Sequence, residues 1–553
     1  MSLQSPLGYA IPEQTIQIAR AAFPKGNPSM HMRDSLGPIY TNLDFAALFP
    51  KTGQPAEAPA HLALITIMQF AEGLSDAQAA DAVRARIDWK YALALDLTDP
   101  GFDASVLCEF RQRLIAGNAE LLLFEIMLTL FREQGLLKAK GRQRTDSTHV
   151  LAAVQTLNRL ECIGETLRQA LNSLASAAPD WLQSWVPAPW FDRYSRRFAE
   201  YRLPTGTPAR FALAEQIGAD GLVLLGTLYD PSAAPAWMRD IPAVQVLRQV
   251  WLQQFYAPSD TQPVGWRLAE DLPPAAVLIR TPYDRDARYS KKRDTEWTGY
   301  KVHLTETCDD QLPHLLTDVT TTAAPTADYD VLPSIQDQLA DRQVTPREQL
   351  VDAGYVSAAH LLSSQREHGI DLLGPVANDP SWQAAAGEGF ATAQFVLDWE
   401  AQQARCPQGQ SSVRWRERRD RHGHASVQIT FAATACATCP CRAQCTRSTT
   451  QPRSLLVRER EHFIALQAAR SRQHTEQFKA QYAQRAGIEG TISQGVHTGD
   501  VRRSRYIGLV KTRLMHLFLG AALNFMRVAA WLAETPRAHT RQSAFAALAG
   551  APG

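Results

Sequence analysis

The sequence predicts a mixed α/β protein in which a helical region precedes one β-sheet and two long inserts interrupt that sheet. Three observations predict this class. Apolar residues recur at helical spacing between residues 42 and 135, short runs rich in Val, Thr and Leu begin at residue 142, and a long helical stretch separates the first run from the others. A length of 553 residues is too great for one compact core, so we expect two to four domains.

The composition is typical of a soluble globular protein. With 45% hydrophobic residues the chain has enough apolar surface to form a core, which excludes disorder over its whole length. The most apolar stretch, residues 514 to 526, is interrupted by His516 and Asn524 and falls short of the roughly 20 apolar residues of a membrane span. We therefore do not expect a membrane partner. The first residues lack a basic segment followed by an apolar one, so we do not expect a secretory signal either.

The helical front region contains three clear amphipathic segments, at residues 60–72, 75–86 and 119–133. Ser75 and Gln78 have the spacing of a capping box, in which each side chain accepts a hydrogen bond from the other residue's backbone N–H. We therefore expect a small helical bundle before the sheet.

The sheet is predicted from five strand-like runs, at residues 142–150, 299–306, 315–322, 348–351 and 371–376. Helices are expected at 329–339 and 357–368, and two more close the chain at 462–489 and 505–532. Residues 155–275 have a mainly helical pattern and form a long insert after the first strand. A sheet tolerates such an insert because the entropy of loop closure grows slowly with loop length.

The net charge of +1 hides strong local differences. Residues 1–140 carry 12 basic and 15 acidic residues, whereas residues 405–460 carry 11 basic and 3 acidic ones, and all 11 are arginine. Arg414, Arg416, Arg418, Arg419 and Arg421 lie within eight positions. Such a run is either a solvated loop or a phosphate-binding surface, since guanidinium groups bind phosphate in a bidentate fashion. A second basic stretch runs from residue 485 to 513, so the positive charge lies in two local patches that could neutralise phosphate groups.

Five of the eight cysteines lie in the same segment: Cys406, Cys436, Cys439, Cys441 and Cys445. Clustered thiols in a reducing compartment are more typical of metal ligands than of disulfides. Cys406, Cys436, Cys439 and Cys445 could bind a structural zinc ion, with Cys441 either spare or competing with Cys445. The alternative is a loop of reduced cysteines.

Three carboxylates stand at positions where catalysis could use them. Asp146 lies within the first predicted strand, Asp352 follows the strand at 348–351, and Glu489 lies on a helix that carries Tyr482 and Arg485 on the same face. Converging carboxylates bind Mg²⁺ or Mn²⁺, and a metal pair supports phosphodiester chemistry. Taken singly, an Asp after a strand is usually a turn residue, and Arg485 with Glu489 reads as a surface ion pair.

Four segments together carry a family resemblance: TDSTHVLAA, WTGYKVHLTE, LVDAGYVSAAHL and YAQRAGIEGTISQGVHTGDVRRSRYIGLVKTRLMHLFLGAALNFMR. In this order they resemble bacterial insertion-sequence transposases of the DDE class, and the resemblance runs from about residue 42 to 532. It implies an RNase H-like mixed sheet with helices on both faces, preceded by an all-α domain and interrupted by a helical insert and a Cys/Arg-rich insert.

The resemblance also implies roles for individual residues. Asp146, Asp352 and Glu489 would be the catalytic carboxylates and would hold two Mg²⁺ (or Mn²⁺) ions. Tyr482 and Arg485 match the Tyr-x-x-Arg-x-x-x-Glu signature, and they would contact DNA. The lysine that the family places seven residues after the glutamate is Val496 here. The cations that could substitute for it, or contact DNA beside the strands, are Arg502, Arg503, Lys511 and Lys301.

The expected domains follow from these assignments. A helical DNA-binding or dimerisation domain covers 1–140, the catalytic core covers 141–154 and 276–400, and the inserts cover 155–275 and 401–460. The helices with the third carboxylate cover 461–535, and a flexible tail covers 536–553.

The expected function is that of a transposase. It would bind the terminal inverted repeats of its insertion sequence, cut DNA and transfer the strands, acting in the cytoplasm at the bacterial nucleoid. Its partners would be double-stranded DNA, at the transposon ends and the target, and a second copy of the chain in a homodimer. The alternatives are a metal-dependent nuclease without strand transfer and a domesticated, non-catalytic DNA-binding protein.

Overall fold

The computed structural model describes residues 2–3, 9–198, 203–257, 259, 264–385, 389–420 and 423–537. Arg421, the predicted tail from residue 538 onward and short pieces of both predicted inserts therefore lie outside the described residues.

The front region is helical, as the apolar spacing predicts. Its α-helices are α1 Glu13–Ala22, α2 Pro28–Leu36, α3 Pro59–Glu72, α4 Asp76–Ala85, α5 Ile87–Leu93, α6 Ser105–Ala116 and α7 Leu122–Glu133, with a 3₁₀ helix at Asn42–Leu48. The predicted capping box is present: Ser75 accepts from the Gln78 N–H, and the Gln78 side chain accepts from the Ser75 N–H. This reciprocal pairing fixes where α4 begins.

Strand β1 (Arg142–Leu151) follows, and the first insert begins directly after it. The elements of the insert are α8 Arg159–Ala177, α9 Pro179–Trp185, α10 Ala188–Tyr194, α11 Thr207–Tyr229, α12 Pro242–Gln254, β2 Phe255–Tyr256 and β3 Gly265–Trp266. A separate apolar cluster that includes Leu167, Ile217 and Trp251 fills the space between these helices. The insert therefore has a core of its own.

The chain then returns to the sheet of β1. The elements of this part are β4 Arg288–Lys292, β5 Thr295–Thr307, β6 Leu316–Ala323, α13 Asp328–Asp341, β7 Glu348–Val351, α14 Ala358–His368 and β8 Asp371–Leu373. All five predicted strands are present, and β4 forms an additional hairpin with β5.

The sheet is mixed. Strand β5 pairs antiparallel with β1, β4 and β6, whereas β7 runs parallel to both β1 and β8. The central strand β1 thus joins an antiparallel half to a parallel half. Helices pack on both faces: Thr145 bonds to Gln349, which bonds to Gln336 of α13, while Arg144 points to the opposite side.

The second insert contains strands that the sequence pattern does not predict. Before residue 401 lie α15 Trp382–Ala385 and β9 Val396–Asp398, and the elements of the insert are β10 Gln403–Arg405, β11 Ser412–Arg419, β12 Ala425–Phe431, α16 Ala433–Ala437, α17 Arg442–Cys445 and β13 Ser454–Arg458. Strands β11, β12 and β13 form an antiparallel sheet over a small cluster that contains Val427, Ile429 and Leu455.

The closing helices are shorter and more numerous than predicted: α18 Arg460–Arg472, α19 Glu476–Ala483, α20 Gly487–Gly499 and α21 Leu509–Leu532. The single helix expected over 462–489 is broken, because Thr475 caps α19 through a bond from the Phe478 N–H and a 3₁₀ turn at Gln484–Ala486 separates α19 from α20. Glu489 therefore lies in the first turn of its own helix and not at the end of a long one.

One large apolar core joins the front helices to the sheet. Phe70 of α3 packs edge-on against Phe518 of α21, and Phe124 of α7, Val319 of β6 and Leu523 of α21 belong to the same cluster. Helices α11 and α21 are both long and apolar enough to cross a membrane by length and composition alone. In the most apolar window of α21, 78% of residues are buried inside the protein, against 39% for α11, so the core accounts for the composition of α21.

Candidate active site

The sheet register brings Asp146 and Asp352 side by side. Strands β1 and β7 run parallel, and Thr145 lies opposite Val351. Asp146 and Asp352 occupy the next position along each strand, at the carboxyl end of β7, where ligand groups gather in open α/β sheets. Asp352 is half-buried and accepts a hydrogen bond of 2.7 Å from the Gly354 N–H, which fixes the direction of its carboxylate.

Arg485 connects Asp146 to Glu489. It lies in the 3₁₀ turn before α20, and its guanidinium contacts the Asp146 Oδ2 atom at 2.5 Å and the Glu489 Oε1 atom at 3.7 Å. The side chain of Glu489 is 70% exposed and so has freedom to move. The three predicted carboxylates thus face one region, and a cation already occupies the space between two of them.

Tyr482 supports this turn from the helix before it. Its ring stacks on Phe478 at a centroid distance of 5.5 Å, next to Leu350 and Leu373 of the parallel strands. The tyrosine is partly buried. Its ring therefore serves as a packing contact and leaves its edge beside Arg485.

The electrostatics of the site favour a cation. Burial raises the pKa of Asp146, and the negative charge of Asp352 adds to this effect, while Arg485 and the Ser147 N–H oppose it. Burial lowers the pKa of the Arg485 guanidinium, but the combined charges of Asp146, Asp352 and Glu489, together with Tyr482, outweigh burial and raise it. Two neighbouring carboxyl groups in such a buried position can both be ionised only when a positive charge lies close to them.

Asp328 is a fourth carboxylate at the site, and sequence reasoning missed it. It begins α13 and accepts hydrogen bonds from the Ser147 Oγ at 3.1 Å and the Lys301 Nζ at 2.9 Å. A Cβ atom on Gly354 would lie 2.9 Å from Asp352 Oδ1 and 3.2 Å from Asp328 Oδ2, so both carboxylates face this glycine. An Asp at a helix start usually signals a cap, which is why the pattern gave no other hint.

Lys301 is held inward by this contact. Its side chain is 11% exposed, and its ammonium group also donates to the Thr326 carbonyl at 2.8 Å. Its predicted role at DNA remains a proposal, and in the structure its charge is directed to Asp328.

The other predicted DNA contacts are dispersed. Arg502 donates from Nε to the Thr148 hydroxyl at 2.9 Å, two residues along β1 from Asp146. Arg503 is exposed, whereas Lys511 starts α21 beside Arg111 and Tyr506 of another surface cavity. Val496, which replaces the lysine of the family signature, packs against the main core. Arg502 therefore contacts the strand of Asp146 through its side chain, and Arg503 forms a backbone bridge with Leu151 of the same strand.

A buried ion network holds α20 against the sheet. Glu306 of β5 is fully buried and accepts from Arg144 at 2.7 Å, Arg527 at 2.7 Å and the Thr491 hydroxyl at 2.6 Å. Burial alone raises the pKa of Glu306, but the charges of Arg527 and Arg144 outweigh burial and lower it. Gly487 has no room for a side chain because the Arg144 guanidinium fills that space. This network sets the position of the helix that carries Glu489.

The cysteines of the second insert lie apart from the acidic residues. Cys406, Cys436, Cys439 and Cys445 line one small cavity, and Cys441 does not. Burial raises the pKa of the Cys445 thiol, and the three neighbouring thiols add to this effect. In the described part of the chain, however, no three His, Cys, Asp or Glu side chains stand close enough together to hold a metal ion as placed.

Comparison with known families gives two matches. Residues 18–113 match the family described as Transposase domain (DUF772), and residues 405–529, which include Glu489, match the family described as Transposase DDE domain. No curated protein and no solved structure matches the chain. The two family matches confirm the resemblance to insertion-sequence transposases of the DDE class.

Proposed function

We propose that this chain cleaves DNA at the ends of its own mobile element and joins the freed ends to target DNA, with Asp146, Asp352 and Glu489 as the metal-binding carboxylates. The observation that carries the proposal is the parallel register of β1 and β7, in which Thr145 lies opposite Val351, so Asp146 and Asp352 each follow directly after this last pair. The family matches supply the class of reaction.

The residues fit a divalent cation by their chemistry. Carboxylate oxygens are the ligands that Mg²⁺ and Mn²⁺ prefer, and Asp146, Asp352 and Glu489 supply only such oxygens. Two bound metals would activate the attacking oxygen and stabilise the leaving one. Because Arg485 contacts both Asp146 and Glu489, its guanidinium must leave that space before all three carboxylates can bind cations.

Arg485 and Tyr482 then face the DNA. A guanidinium released from Asp146 would be free to bind a phosphate of the scissile strand, since its planar fork suits two phosphate oxygens. The Tyr482 ring, stacked on Phe478, holds the turn in place. Arg502, which donates a hydrogen bond to the Thr148 hydroxyl, extends the positive charge along β1.

We assign the sheet to the RNase H-like class. The support is its strand arrangement, with a central β1 between an antiparallel pair and two parallel strands and with helices on both faces. The front helices and the second insert would bind DNA, two copies would pair the two ends, and the protein would act at the bacterial nucleoid in the cytoplasm.

We also propose a structural zinc ion bound by Cys406, Cys436, Cys439 and Cys445. Their shared cavity supports this ligand set and leaves Cys441 out of it. Closing the site requires the thiols to approach one another, since they do not yet form a metal-binding group. Metal analysis of protein never exposed to chelator should find about one zinc per chain. Cys445→Ser should lose it and Cys441→Ser should keep it; trace zinc in the unmodified protein would exclude the site.

One pair of assays separates the catalytic alternatives. The protein is incubated with Mg²⁺ and DNA that carries the flanks of its own gene, and the cut positions are mapped; pre-cleaved ends are then offered with a target plasmid. A transposase cuts at the element ends and joins the pre-cleaved ends. Cutting without joining would indicate a nuclease, and binding without cutting would indicate a non-catalytic DNA-binding protein.

A further inference from the structure

The outer side of the sheet β11–β12–β13 carries a row of arginines. Arg414, Arg416 and Arg418 lie at alternate positions of β11, so their side chains leave the same side of the sheet. The register places them opposite Thr430, Gln428 and Ser426 of β12. The inner side is apolar, with Val427, Ile429 and Phe431 buried. We call the outer row Arg414, Arg416 and Arg418 the arginine face.

No carboxylate lies on this side among the described residues of the three strands. Glu417 is on the opposite side, because the register pairs it with buried Val427. All three arginines are exposed, and neither Arg414 nor Arg416 forms an ion pair within the described part of the chain. Arg418 donates to the neutral Gln428 amide at 2.7 Å. Three positive charges therefore lie close together without compensation by the protein.

Other arginines of the insert are engaged within it. Arg442 and Arg453 donate to backbone carbonyls of Ser448 and Phe390, and Arg419 donates to the Gly423 carbonyl. Two further arginines form ion pairs: Arg458 with Asp420, and Arg460 with Glu400. Arg405 and Arg447 form no ion pair in the described part of the chain either, but they lie outside β11, whereas the arginine face brings three arginines without an acidic partner onto one side of one strand.

The spacing of the face suits the backbone of a duplex. Alternate residues of a strand are about 6.6 Å apart, so three of them span roughly 13 Å, which equals about four base-pair rises of 3.4 Å along the duplex axis. The neighbours Thr430 and Ser454 add hydroxyl donors of the kind that contact phosphates. No aromatic side chain lies among the outward residues of these strands on which an unpaired base could stack.

We infer that the arginine face binds the sugar-phosphate backbone of double-stranded DNA and does not read its sequence. The inference rests on the proposed function for the identity of the partner. It deepens that function by naming one surface, and three side chains on it, within a segment that contains many arginines.

The test is the salt dependence of DNA binding by the full chain, measured without Mg²⁺ so that no cleavage is needed. Arg414→Ala, Arg416→Ala and Arg418→Ala are combined in one variant. The slope of log K against log salt should become shallower by up to about 2.7, since each phosphate contact contributes about 0.9. The change should be equal on element ends and on unrelated duplex.

Two further variants make the result specific. Arg285→Ala, Arg366→Ala and Arg460→Ala together remove the same charge from exposed arginines that have acidic partners, and they should leave the slope nearly unchanged. Arg414→Lys, Arg416→Lys and Arg418→Lys together should retain the slope and lose part of the affinity, because ammonium cannot bind phosphate in a bidentate fashion.

An unchanged slope in the alanine variant would overturn the inference. So would an equal loss in the charge-matched control, or a loss confined to single-stranded DNA or to element ends. A protein that binds duplex through this face but never cuts it would contradict the proposed function alone, so the two failures are distinguishable.

Discussion

Asp328 shows how a single residue can determine the charge balance at the acidic site. It stands between Lys301 and the Ser147 hydroxyl and faces the same glycine as Asp352. It touches no proposed metal position, so we regard it as a positioning residue. Its carboxylate neutralises a buried ammonium that would otherwise oppose cation binding by Asp146 and Asp352.

Asp328→Asn should reduce the rate of DNA cleavage by roughly ten- to a hundredfold, the usual cost of losing a group that orients metal ligands. It should also raise the Mg²⁺ concentration needed for half-maximal rate, because Lys301 then remains uncompensated beside the site. Adding Lys301→Met should restore the Mg²⁺ requirement in part, an effect that a purely structural defect would not show. Unchanged Mg²⁺ dependence in the single variant would refute this role.

At the scale of elements, buried charge holds α20 and α21 to the sheet. Glu306 receives both Arg144 and Arg527 without exposure to solvent. Removing one partner from such a cluster destabilises the protein by far more than the intact pair stabilises it, because the remaining charges stay buried.

Glu306→Gln should therefore lower the free energy of unfolding by about 3–5 kcal/mol, measured by urea denaturation at pH 7. The matched change Glu461→Gln removes an exposed partner of Arg366 and should cost less than about 1 kcal/mol. Equal losses for both variants would show that the buried network does not stabilise these helices.

Most of the elements that the sequence predicts correctly have a clear apolar period. Strands β5 and β6 and the front helices have such a period, and the structure confirms them. The structure also confirms β1 and β7, although polar residues occupy most of β1 and half of β7. Strand β11 was missed because arginines occupy its outer positions and its inner ones are Trp415 and Glu417, which hides the alternation. The break after α18 was missed because helical spacing continues across the Thr475 cap.

The same distinction between local pattern and tertiary packing applies to the candidate active site. The sequence pattern places Asp146 within one predicted strand and Asp352 directly after another, whereas their mutual position depends on strand pairing across an insert, which local sequence does not specify. The contact of Arg485 with Asp146 and the inward direction of Lys301 likewise depend on tertiary packing.

At the scale of the whole molecule, neutral buried histidines link stability to pH. His516 of α21 lies between the Thr321 hydroxyl and the Val501 carbonyl, and burial lowers its pKa to about 4. Burial also lowers the pKa of His303 and His314 to about 4. These histidines connect β5, β6 and the closing helices, so their protonation affects the core that these elements share.

The stabilisation that depends on these neutral histidines should be complete above the unfolded-state pKa near 6.5. The free energy of unfolding should fall as the pH drops towards 4, because only the unfolded chain then takes up these protons. The contribution of His516 should be up to about 1.4 kcal/mol per pH unit in that window. Urea denaturation at pH 7, 6 and 5 should show a smaller decline for His516→Gln than for the unmodified protein. An identical decline would mean that His516 is protonated in the folded state.

The central claim is that Asp146 and Asp352, paired by the sheet, bind the catalytic metal. The most direct test is Mg²⁺-dependent cleavage of DNA carrying the element ends, under single-turnover conditions, by Asp352→Asn. We predict a fall of about a thousandfold or more, because several kcal/mol of transition-state stabilisation are lost, with end binding unchanged. The control Asp337→Asn, an exposed acid of α13, should cleave normally. Cleavage by Asp352→Asn at the rate of the unmodified protein would contradict the claim.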